Sequence, residues 1–145
     1  MIVNKGIATH EAGHVIASLT YSIPIISVSI DRSDGTPPHI RHGIYQMPAD
    51  LAPEAYGVFC LAGGSAEQLF FGSITDGSDA VDVAACRENL FLNGFDVLTV
   101  GGEMARLRAA ADRLVRTERQ RIEKIAQLLL RYGSLSGDQI FELSR

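Results

Sequence analysis

Residues 10–14 read His10-Glu11-Ala12-Gly13-His14, and the rest of the chain is read most economically as support for them. On an α-helix, residues four apart share a face, so His10 and His14 can offer imidazole nitrogens to one ion. Glu11 is turned roughly a quarter of a turn further on. There its carboxylate reaches a metal-bound water without having to bind the metal itself. Two solvated or core-satisfied histidines are the plain alternative, and the apolar helical surroundings argue against it. Neutral imidazoles leave most of the charge on Zn²⁺, which brings the pKa of a bound water from about 15.7 towards about 7. The Glu11 carboxylate then takes the proton and passes it to the leaving group. A catalytic zinc wants three protein ligands and an open position, so the third ligand must come from elsewhere in the chain.

Length and composition limit what surrounds this stretch. With 145 residues and 46% hydrophobic content, the chain suits one globular domain, 1–145. A net charge of −4 speaks against a nucleic-acid partner. Basic residues do gather between Arg106 and Arg131, but acidic ones interleave with them, as on a solvated helix face. Cys60 and Cys86 have no C-x-x-C spacing and read as buried, reduced thiols of a cytoplasmic protein. No signal peptide is expected, because the motif helix follows Met1 with no basic and apolar stretch ahead of it. The longest uncharged run, Val15 to Ile30, contains Pro24 and falls short of about 18 residues, so no membrane span is expected.

The motif helix is expected from Val3 or Asn4 to Leu19 or Thr20, with Ile7, His10 and His14 on the metal face and Ala8, Ala12, Val15 and Leu19 packing inward. Gly13 costs roughly 1 kcal/mol against alanine in mid-helix. It is either an ordinary tolerated glycine or the mark of a close approach by another backbone or by substrate. Beyond Pro24, the period-two run Ile25 to Ile30 predicts a strand. His42 to Met47 predicts a second, pairing antiparallel with the first. His39 and His42 flank the intervening loop and read as loop or strand residues in preference to ligands.

Pro53 suits the first turn of a helix running to Phe71. In it, Gly63-Gly64 implies a neighbour packed against bare backbone. Glu67 is either a carboxylate orienting a ligand histidine or a solvent-facing one. A turn-rich loop, residues 72–79, then leads into a helix over Ala80 to Leu92, which Ser78 or Asp79 can cap. Asp76, Asp79 and Asp82 all compete as third ligand there, and spacing alone does not choose among them. After Gly101-Gly102, one long helix is expected from Glu103 to Arg131, with Leu107, Leu114, Ile122, Ile125 and Leu129 in a core stripe. Ser136-Gly137-Asp138-Gln139 reads as the start of a short closing helix. The expected architecture is α+β, mainly helical, with a short antiparallel sheet after the motif helix.

Several of these stretches together resemble the FtsH-type peptidase domain, peptidase family M41. His10-Glu11-Ala12-Gly13-His14 has the form the motif takes there. Val28-Ser29-Ile30 resembles the following strand, and Leu61 to Leu69 with Phe71-Gly72 is similar to the family's Gly-Gly-Arg-Ala-Ala-Glu-Glu helix. The tail from Arg119 through Asp138 also resembles the end of that domain. The resemblance implies a zincin-like fold, His10 and His14 as zinc ligands, Glu11 as general base and an aspartate as third ligand. It favours Asp79, which keeps the glycine-to-aspartate loop leading directly into the helix. An ungapped pairing puts Ala80 there, and a one-residue insertion Asp82. Ser65 stands where the family has arginine and Gln68 where it has its second glutamate.

The expected function is therefore a zinc-dependent, ATP-independent endopeptidase. With no P-loop and no apolar span, it would act on peptides, flexible termini or unfolded protein; a homo-oligomer or a partner ATPase is left open, and a partner ATPase would change that expectation. An extended substrate could add to the strand His42 to Met47. The rival readings are a catalytically inactive, metal-stabilised interaction or regulatory module and a zinc hydrolase of another amide or ester.

Overall fold

The computed structural model describes residues 2–30, 43–74 and 78–143, with only the backbone described for 2–4. His39, His42 and Asp76 lie outside the described residues. Helix α1 (Ile2–Tyr21) is buried on every face from Gly6 to Ser18, as a helix apolar all round should be. It lies between α2 (Pro53–Phe71) and α5 (Arg119–Tyr132). Helix α2 starts with the expected proline in its first turn. It ends at Gly72, whose φ of 74° is the left-handed conformation that closes a helix without Cβ strain.

Gly13 marks where α1 and α2 touch. A Cβ there would stand 2.5 Å from the Ala62 carbonyl oxygen and 2.9 Å from Ala66 Cβ. The close-approach alternative therefore holds, and the helical propensity lost at Gly13 is offset by contact between the two backbones.

Strand β1 (Ile25–Ser29) is central to a three-stranded antiparallel sheet of order β2-β1-β3. β2 (Gly43–Tyr45) pairs as expected. β3 (Ser134–Ser136), with Leu135 opposite Val28, was not anticipated, because three residues are too few to show an alternation. Val28 and Leu135 face the core, while Ile26 and Ile44 face outward. Helix α3 (Ala80–Leu92) has the predicted bounds.

The single helix expected over 103–131 is two: α4 (Val100–Thr117) and α5, broken at Glu118. An unbroken helix of that length would run roughly 45 Å, well past so small a core. The break lets Leu107, Ala111 and Val115 pack towards α2 while Ile122, Ile125 and Leu129 pack towards α1. Gly101 and Gly102 lie inside the first turn of α4, not ahead of it. The last described helix, α6 (Gly137–Leu143), starts where expected, and a reciprocal cap opens it. The Gln139 amide donates to Ser136 Oγ and the Ser136 amide to Gln139 Oε1. Among the described residues no helix is long and apolar enough to cross a membrane.

Candidate metal centre

One stretch of α2, residues 59–67, lies beside α1 and shapes the surroundings of both histidines. His14 Nδ1 is 2.8 Å from the Phe59 carbonyl oxygen, which can only accept, so the ring proton is on Nδ1 and the lone pair on Nε2. His10 Nδ1 donates to Glu67 Oε1 at 2.6 Å, which likewise leaves a lone pair on its Nε2. Glu67 is buried and also accepts from Ser78 Oγ at 2.7 Å. Of the two readings of Glu67, the one that orients a histidine is the one found. Gly63 leaves room for the rings: a Cβ there would stand 2.5 Å from His10 Nε2 and 2.6 Å from His14 Nε2. This is the neighbour against bare backbone that Gly63-Gly64 implied.

The third group is Asp82. Its Oδ2 lies 2.9 Å from His10 Nε2 and 3.0 Å from His14 Nε2, and the two Nε2 atoms are themselves 3.0 Å apart. With each Nδ1 proton committed, both Nε2 atoms face the Asp82 carboxylate in a buried place, an arrangement satisfied by a proton or a metal cation between them. The donor set fits a metal. Tetrahedral zinc, with bonds of about 2.0–2.2 Å, wants its ligand atoms about 3.3 Å apart, a few tenths of an ångström wider than these. The buried His10, His14 and Asp82 group could thus hold a metal ion.

The electrostatics agree. Burial alone would lower the His10 imidazole, but hydrogen bonds to Asp82 and Glu67 and the charges of Glu11 and Asp82 outweigh it. They raise it from 6.5 to about 10. Burial alone would raise the Asp82 carboxyl, yet the His14 charge and the hydrogen bonds from both histidines hold it far below its ordinary 3.8. Without a metal, the cluster attracts protons instead. Glu11 is buried beside it, near enough for its charge to act on His10.

Asp79, favoured as third ligand on the resemblance, is not brought to the histidines. It precedes α3 directly and makes no side-chain cap. Its Oδ2 accepts from Arg108 Nη2 at 2.8 Å, beside the bare backbone of Gly64. Asp82 is three residues further on, one turn into the helix, and that turn carries it to the histidines. Ser78, read as a cap, serves Glu67. Arg108, read as part of a solvated face, reaches inward. Its partners lie 29 to 47 residues away, and no local spacing signals them. No protein-family model matches the chain, and no curated protein matches it significantly.

Proposed function

We propose that the chain is a zinc-dependent endopeptidase with an FtsH-type, zincin-like domain, His10, His14 and Asp82 holding the metal and Glu11 acting as general base. The observation that carries the reading is the meeting of three lone-pair atoms, two of them fixed in tautomer by Glu67 and the Phe59 carbonyl, one residue from a carboxylate. Zinc is preferred because two imidazoles and a carboxylate suit it. Bound there, it would supply Lewis acidity that makes water nucleophilic near neutral pH. Glu11 takes the proton from water and returns it to the leaving nitrogen. Glu67 and Phe59 hold the imidazoles in the metal-binding tautomer. Peptides and unfolded chains are the proposed substrates. β2 supports this as an edge strand whose Tyr45 ring packs on Phe59, next to His14.

A second reading, a metal-stabilised interaction module, is favoured by one observation. His10, Glu11, His14 and Asp82 are each at most 6% exposed, as in a closed structural site. Metal content and cleavage of casein and a peptide library, for wild type, Asp82→Ala and Glu11→Gln, decide between the two. The peptidase reading expects about one zinc per chain, lost in Asp82→Ala. It expects Glu11→Gln to keep its zinc while cleavage falls about 10²- to 10⁴-fold. Zinc without cleavage by the wild type would favour the module, and cleavage surviving in Glu11→Gln would remove Glu11 as the base.

A further inference from the structure

We propose that Arg108 is the positioning residue of the metal centre: by clamping the first turn of α3 to α2, it sets Asp82 against His10 and His14. The inference rests on the zinc reading above. Arg108 projects from α4, and its Nη1 donates to the Leu61 carbonyl at 2.9 Å and to Ser65 Oγ at 3.1 Å. Its Nη2 donates to Asp79 Oδ2 at 2.8 Å. One planar guanidinium thereby joins three helices, a task for which its fork is suited and a lysine point charge is not. Among the described residues no hydrogen bond or ion pair joins Arg108 to the histidines or Glu11, and its bond to Asp79 is what reaches the centre through α3.

Helix α3 depends on that hold. Its buried side chains are Asp82, Cys86 and Leu90, and Asp82 is itself a member of the centre. Asp79 and Asp82 are three residues apart and share a face, so a shift of the first turn carries Asp82 with it. Among the described residues, Asp79 Oδ1 is buried and meets no hydrogen-bond donor, which leaves the carboxylate leaning on Arg108 through Oδ2. Gly64 completes the seat, since a Cβ there would overlap Asp79 Oδ1. Ser78 ties the same turn to Glu67 and through it to His10. Two consecutive residues thus fasten the start of α3 to both sides of the centre.

The test is the dissociation constant of zinc, by competition with a chromophoric chelator, for the full chain and for Arg108→Gln, Arg108→Lys and Asp79→Asn. Asp82→Ala and Arg106→Gln serve as references. Arg106 is two residues away on α4 and forms exposed ion pairs with Glu54 and Glu103, so its variant should bind zinc within about twofold of wild type. Arg108→Gln is expected to weaken zinc about 10- to 100-fold, and Arg108→Lys less. The visible absorption of the cobalt(II)-substituted protein should change in Arg108→Gln in the direction Asp82→Ala changes it. Should Arg108→Gln not fold, Asp79→Asn carries the test, because it keeps the shape and the Leu61 and Ser65 bonds of Arg108. At least a tenfold loss of affinity is expected there. If both variants only lower the melting temperature, with zinc affinity and cobalt spectrum as in wild type, the clamp is overturned while the zinc centre stands. Wild type and Asp82→Ala failing alike to bind zinc would overturn the zinc reading itself.

Discussion

The α1–α2 seam and helix α3 contribute to the same centre by opposite means. In the seam, two long helices meet backbone to backbone at Gly13 and are buried along most of their contact. They carry His10, Glu11, His14, Glu67 and the Phe59 carbonyl, so two of the three proposed ligands and their hydrogen-bond partners belong to the core. Helix α3 buries two apolar side chains, Cys86 and Leu90, and carries the remaining proposed ligand, Asp82. A site of this kind can be half built into the fold and half completed by docking. An element with little apolar burial opens locally at low cost, and a metal bound across the junction would stabilise the closed form.

The largest effect should come from wedging the seam. Gly13→Val gains helical propensity over glycine, yet its Cβ would meet Ala62 O at 2.5 Å, and a backbone carbonyl in a buried helix has little room to give. We expect a loss of about 3 kcal/mol or more in urea unfolding, with metal binding lost as well. A loss under about 1 kcal/mol would mean that the two helices separate easily and that the contrast with α3 is wrong.

A smaller effect should separate the metal-free junction from the metal-bound one by pH. His10 is raised in the folded state from 6.5 to about 10. Its contribution is therefore fully present below pH 6.5 and lost as pH rises through about 10. Asp82 is depressed, so its contribution is present above its ordinary 3.8 and lost on acidification below it. The metal-free protein should thus lose stability between pH 6.5 and 10, by an amount of the order of a few kcal/mol. On the zinc reading, the metal displaces the His10 proton, and the zinc-loaded protein should not show that loss. Equal slopes with and without zinc in pH-dependent melting would indicate that the proton and the metal do not share the site.

What the sequence made legible divides along the same line. Elements set by local rules came out where expected or within a residue: Pro53 in the first turn of α2, the period-two run as β1 one residue shorter, and Ser136 to Gln139 as the start of α6. That His10 and His14 meet on one face was legible because helical spacing is local chemistry. Glycines at 13 and 63 signalled close approach, though not by what. Which aspartate faces the histidines was not legible, because Asp79 and Asp82 differ only through where α3 lands, and Asp79 is held by Arg108 from a distant helix. The break at Glu118 was hidden for a related reason. Nothing in 103–131 breaks a helix locally, and the turn reflects the size of the core the two halves wrap.

The smallest and most discriminating effect should come from strengthening α3 without touching the centre. Leu92 is the last residue of α3 and 78% exposed, and no basic side chain lies in that last turn. Leu92→Lys removes little buried apolar surface and keeps a strong helix former. It places a cation beside the helix C-terminus, worth about 0.3–1 kcal/mol at low salt. If α3 docking limits the completeness of the centre, part of that gain should appear as zinc binding tightened about two- to threefold, fading as salt is added. The amide protons of α3 should exchange more slowly, while those of α1 stay unchanged. Slower exchange in α3 with no change in zinc affinity would show that the helix is already fully docked. The histidine pair, not Asp82, would then limit binding.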